Sequence, residues 1–163
     1  MEFELEQRLR GAPETVLDLL FDQEFLAARA GLPNLGGSEV LEVTRAGTTA
    51  RVRVRMHFTG NLAPAVTAVV DPAKLTWVDD ATFDLTARRG HHQIRPDHYA
   101  DRLSCTYDDR LDVDGDGARR VLAGTVKVRA FLVGSKVEGA IVGGLRESTA
   151  AESALLNDWL GRG

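Results

Sequence analysis

The sequence predicts an α+β domain in which a curved antiparallel sheet of about seven strands wraps around a long C-terminal helix, with short helices after the first strand. Three observations lead there. Apolar and polar residues alternate with period two in seven separate segments. Most of these segments are joined by turn-length connections, which favour antiparallel neighbours over parallel crossovers. From Ser135 to about Leu160 the period becomes helical.

Residues 2–10 set Phe3, Leu5, Gln7 and Leu9 on one side against Glu2, Glu4, Glu6, Arg8 and Arg10 on the other, the pattern of a half-buried strand. Ala12-Pro13-Glu14-Thr15 then carries a proline near a helix start and an acid in the first turn. The apolar spacing of Val16, Leu17, Leu19, Leu20, Phe25 and Leu26 extends one or two short helices to about Ala30. Breakers crowd residues 31–37, which read as loop. Strands over 38–45 and 48–58 flank Ala46-Gly47; in the second, Val52, Val54, Met56 and Phe58 oppose Arg51, Arg53, Arg55 and His57.

Leu62 to Val70 reads as one or two helical turns, and Leu75, Trp77, Ala81, Phe83 and Leu85 then share the inner parity of a strand. A weaker strand covers His91 to Arg95 and ends at the bend Pro96-Asp97. The next runs from Leu103 to Val113, with Leu103, Cys105, Tyr107, Leu111 and Val113 on its apolar side, and Gly115-Asp116-Gly117 supplies a hairpin turn into the last strand, marked by Leu122, Val126 and Val128. On the final helix Val137, Ile141, Leu145, Ser148, Leu155 and Trp159 share a face, over a length of about 39 Å. Gly143-Gly144 inside it costs about 1 kcal/mol per glycine relative to alanine, so the pair calls for a bend or, as favoured here, a closely packed neighbour.

Composition narrows the function. The chain has 163 residues, 44% hydrophobic and 27% charged, enough for one domain with its own core spanning 1–163. A net charge of -4 leaves no positive field to gather nucleic acid phosphates. The single cysteine, Cys105, excludes a disulfide framework, and its core parity makes it a small apolar residue. No apolar run approaches the roughly 20 residues needed to span a bilayer, and the opening residues lack the plan of a secretory signal, so a cytoplasmic location is expected. His57, His91, His92 and His98 show no metal-ligand spacing and read as solvated or locally bonded imidazoles. Asp112-Val113-Asp114-Gly115-Asp116-Gly117 matches the first half of a calcium loop, but Ala123 replaces the twelfth-position glutamate and the flanks are strands, so a polar hairpin turn is expected. No phosphate loop, nucleophile elbow or Ser-His-Asp arrangement is present; neither a metal nor a cofactor is called for, and no catalytic residue is assigned.

Leu132-Val133-Gly134-Ser135-Lys136-Val137-Glu138 enters a helix ending Asn157-Asp158-Trp159-Leu160. With the strand from Trp77 to Phe83 and the element order, this resembles the START-like superfamily, the helix-grip fold of the birch pollen allergen, START lipid-transfer domains and polyketide cyclases. More closely it resembles an actinobacterial START-related family of unknown function, from which Phe131 and Ser135 depart where proline and glycine are common. The resemblance implies a cavity between sheet and long helix holding an apolar small molecule. Most members are binders or carriers, and a minority are enzymes.

On this reading Val52, Val54, Met56, Phe58, Trp77, Phe83, Tyr107, Leu122 and Val126 face Ile141, Leu145 and Leu155 across the interior. Asp79 and Asp109 share the parity of inward apolar neighbours, and Glu152 lies near the apolar face of the last helix. Pointing inward they would anchor a polar ligand group or exchange protons; at a bulge or strand end they would face water. Asp109 joins the apolar set as a candidate ligand contact. The expected function is binding or carriage of a small hydrophobic, lipid- or polyketide-like molecule. The alternatives are a cyclase- or hydratase-type enzyme using Asp79, Asp109 and Tyr107, and a protein-interaction module with a filled core. Whether the protein is a monomer or homodimer stays open.

Overall fold

The computed structural model describes residues 1–162. Its elements are β1 (Glu2–Leu9), α1 (Pro13–Leu20), α2 (Gln23–Ala28), β2 (Leu35–Ala46), β3 (Thr49–Phe58), α3 (Pro64–Thr67), β4 (Thr76–Asp84), β5 (Arg89–Pro96), β6 (Leu103–Asp114), β7 (Gly117–Val128) and α4 (Gly134–Leu160). The seven strands form one antiparallel sheet in the order β1-β7-β6-β5-β4-β3-β2. The predicted architecture is the observed one.

Its logic is local. From β2 to β7 each strand pairs with the next, through short connections except between β3 and β4, where residues 59–75 carry α3, while α1 and α2 carry the chain from the β1 edge to the β2 edge. Pro13 opens α1, and the Asp22 carboxylate caps α2 by accepting from the Phe25 amide at 2.8 Å. Gly115 makes the β6–β7 turn at φ 58°, a conformation that costs glycine little. The 27 residues of α4 lie against β1, β7 and α1.

Sequence and structure part at three places. β2 begins at Leu35, inside the segment read as loop, because a register shift between Gly36 and Glu39 takes up Gly37 at φ 61° without ending the strand. The Gly143-Gly144 pair is not closely packed. A Cβ at Gly143 would meet nothing within 4 Å, and one at Gly144 would meet Phe58 at an ordinary 3.7 Å. His92, read as solvated or locally bonded, is buried inside a charged cluster.

Two apolar clusters hold the sheet to the helices. One joins α1 and α2 to β3, β4 and the C-terminal half of α4 through Leu17, Phe25, Val54, Phe83 and Leu156. The other joins β1, β6 and β7 to the first half of α4 through Phe3, Leu5, Cys105, Val126 and Val142. The arginine strip of β3 is spent on the opposite face in cross-strand pairs: Arg51 chelates Asp80 at 3.0 and 2.9 Å, and Arg55 reaches Asp97 at 3.3 and 3.2 Å.

Candidate functional site

Between the two clusters the sheet and α4 do not close on each other. A cavity of about 250 Å³ separates them, just below the roughly 300–1,000 Å³ common for small-molecule sites. Val52, Val54, Met56 and Phe58 of β3, Trp77 and Phe83 of β4, Tyr107 of β6, Leu122 of β7, and Ile141 and Leu145 of α4 all lie on its wall. Val126 and Asp109 do not. Val126 is wholly buried among Phe3, Leu5 and Val142, and Asp109 lies behind the wall, held by Arg120. The wall also takes in Leu62, Val66, Val69 and Val70, from the short helical segment to which sequence reasoning gave no role. Their apolarity, in a connection that would otherwise be polar, was the available signal.

One part of the wall is charged. Asp79, His92, Tyr107, Arg120, Glu152 and Arg29 all contribute to it. His92 Nδ1 lies 2.8 Å from Asp79 Oδ1, and the Tyr107 hydroxyl donates to Asp79 Oδ2 at 2.9 Å. The imidazole stacks on Tyr107, ring centroids 4.2 Å apart and planes 14° from parallel, and turns its Nε2 toward Asp109 Oδ2 at 3.6 Å. Arg120 donates through Nε to both Asp109 oxygens at 3.0 and 2.9 Å, and through Nη1 to Gln7 Oε1 and Glu152 Oε2, each at 3.1 Å. Gln7 in turn donates to Glu152 Oε2 at 3.3 Å and to the Thr149 carbonyl at 2.9 Å. Arg29 Nε closes the cluster 2.9 Å from Glu152 Oε1, at an angle outside hydrogen-bond geometry.

Sheet geometry assembles this cluster. Gly124 stands opposite Tyr107, and a Cβ there would strike the Thr106 carbonyl at 2.1 Å and Tyr107 Cβ at 2.4 Å, so only glycine lets β7 pass this closely. Asp79 and Asp109 are both buried, which resolves the alternative that they sit at bulges facing water. Arg120 was not singled out in the sequence and His92 was read as a solvated or locally bonded imidazole, although strand parity placed Arg120 with Leu122 and His92 with Ile94. Arg29 gave no such signal, because a charged residue at a helix end normally faces water.

Charges set the titration. Burial alone would lower the His92 pKa, but the Asp79 charge and the carboxylates at both ring nitrogens raise it to about 9. Burial pushes Asp109 up, and the Arg120 guanidinium outweighs it, bringing the pKa to about 2. Asp79 is likewise held below the ordinary carboxylate range, burial opposing and His92 prevailing. Burial, with Asp79 beside it, drives the Tyr107 hydroxyl well above its usual value. The ion pairs set three acidic side chains, Asp79, Asp109 and Glu152, against three basic ones, Arg29, Arg120 and His92.

Comparison with known families places this fold. A family model described as protein of unknown function (DUF2505) matches residues 4–160. The chain belongs to that family. No curated protein matches the sequence. Among solved structures, this DUF2505 chain resembles TTHA0849 from Thermus thermophilus, with 19% identity, TM-score 0.66, and 97% of this chain and 95% of that one covered. It resembles the Zhui aromatase/cyclase from Streptomyces sp. R1128 at 15% identity and TM-score 0.68, covering 99% and 94%. It resembles norcoclaurine synthase from Thalictrum flavum at 12% identity and TM-score 0.66, covering 98% and 86%. At such identities the likeness establishes the fold alone: the START-like, polyketide-cyclase-like helix grip.

Proposed function

We propose that this DUF2505 protein binds or carries a small hydrophobic molecule, lipid- or polyketide-like, between the sheet and α4. The observation that carries this reading is the open, mainly apolar cavity walled by β3, β4, β6, β7 and α4. A module whose core served only to pack would close that space, since protein interiors leave few voids larger than a water molecule. Uptake is driven by moving apolar surface out of water, at about 25 cal/mol per Å². The proposed contacts are the cavity-wall residues Val52, Val54, Met56, Phe58, Trp77, Phe83, Tyr107, Leu122, Ile141 and Leu145. Asp109 and Val126 support that wall from behind. Titration of an apolar fluorescent probe tests the reading: saturable binding with competitive displacement by unlabelled hydrophobic molecules is expected, and absence of any saturable binding contradicts it.

A second reading, a cyclase- or hydratase-type enzyme, draws on Asp79, His92 and Tyr107 at the wall. Its carboxylates are poor bases, because Asp79 and Asp109 are both held below the ordinary range. Protonated His92, bonded to Asp79 at the cavity wall, is placed to act as an acid.

A further inference from the structure

Resting on the binding reading above, we infer that the cavity takes an apolar molecule carrying one uncharged oxygen acceptor, a carbonyl, seated against the Arg29 guanidinium. Arg29 lies on the cavity wall with its side chain 19% exposed. It carries five N–H donors, and no acceptor among the described residues stands in hydrogen-bond geometry to any of them. Its ion-pair partner cannot supply them all. Glu152 Oε2 already accepts from Arg120 and Gln7, leaving Oε1 to face Arg29 Nε at 2.9 Å. The neighbouring acceptor on the wall is also engaged, since both Asp79 oxygens are taken, one by His92 and one by the Tyr107 hydroxyl. A guanidinium with free donors beside an apolar cavity is completed by an acceptor that arrives with the guest.

The charge count decides the kind of acceptor. Both ring nitrogens of His92 face carboxylates, at 2.8 Å and 3.6 Å, so the imidazole is held as a cation and the cluster is already neutral. Seated against Arg29, a ligand carboxylate would bring this cluster a fourth negative charge with no fourth cation inside it, since the other cations of the wall, Lys74 and Arg102, make no ion pair with the cluster, and burying an unpaired charge is costly. A carbonyl oxygen satisfies the same donors and adds no charge. Most of the remaining wall, including Val54, Met56, Trp77, Leu122, Ile141 and Leu145, offers hydrocarbon and ring surface to the remainder of the molecule, with Asn34, Lys74, His98, Tyr99 and Arg102 as further polar lining.

Three probes of similar size separate the possibilities: methyl naphthyl ketone, isopropylnaphthalene and naphthoate. Their affinities are measured near neutral pH with the wild-type protein and with Arg29→Met. The ketone Kd should rise by about tenfold or more in the variant while the hydrocarbon Kd moves far less, as expected for loss of one charge-assisted hydrogen bond. Naphthoate should bind the wild type more weakly than the ketone. If ketone and hydrocarbon respond equally to Arg29→Met, or if naphthoate binds tightest, the inference is overturned and the binding reading stands. If none of the three probes nor any other apolar probe binds, both fall together. Should Arg29→Met fail to fold, the infrared carbonyl band of ketone bound to wild type decides: a shift to lower wavenumber supports the Arg29 contact, and an unshifted band overturns it.

Discussion

Arg120 of β7 grips Asp109 of β6 on a diagonal: its Nε reaches the two carboxylate oxygens at 3.0 and 2.9 Å, although Asp109 stands opposite Leu122 and Arg120 opposite Leu111. The offset frees the other arm of the guanidinium for Gln7 of β1 and Glu152 of α4. One side chain therefore ties the β1-β7-β6 end of the sheet to the helix that covers the cavity.

Arg120→Met leaves Asp109, Glu152 and Gln7 buried without their common partner. Breaking such a buried pair costs about 3–5 kcal/mol, and urea unfolding should show a loss of that size. The double variant Arg120→Met with Asp109→Leu should recover much of it. A single-variant loss below about 1 kcal/mol would mean the cluster does not clamp the fold.

The His92 pKa of about 9 makes stability pH-dependent in a stated direction. A folded-state value raised above the unfolded 6.5 contributes stability that is fully present below pH 6.5 and lost as pH rises through about 9. The contribution is on the order of 3 kcal/mol. Urea midpoints measured across this window should fall for the wild type and lose most of that slope in His92→Gln. Equal slopes in the two proteins would show that His92 is not held as a cation.

How much of this was legible follows from strand parity. Period two named most of the inward residues of β3, β4 and β6, although Val113 near the end of β6 is 63% exposed and β4 is buried on both faces from Val78 to Ala81. It also flagged Asp79 and Asp109 as acids on an apolar side. It could not show that Asp109 stands behind Arg120, because the diagonal contact depends on the β6–β7 register. Nor could it reveal Arg29, whose place on the wall comes from how α2 folds over the sheet. The β2 start was missed because glycine reads as a breaker locally, whereas here it forms a bulge that the neighbouring strand stabilises.

Gly143 is a helix-interior glycine with open space where a side chain would go. Gly143→Ala should therefore stabilise the protein by about 1 kcal/mol and raise its Tm. A lowered Tm would indicate that α4 needs the conformational freedom of this pair.

Cys105 is buried on the cavity wall, and burial, with Asp79 nearby, pushes its thiol up to about 12. A thiol-directed reagent near neutral pH should react with it only through opening of the structure, and a guest in the cavity should slow the reaction further. Rapid labelling of the folded protein, comparable to that in urea, would contradict the burial.

The central claim is that the space between sheet and α4 holds an apolar guest. Native mass spectrometry of the purified protein, followed by denaturing extraction, tests it most directly. The account predicts an added mass of on the order of a few hundred daltons, as suits a cavity at the small end of ligand sites, released when the protein unfolds and extracted as a hydrophobic compound. An unaltered mass, joined to failure of every apolar compound to raise the Tm, would contradict it.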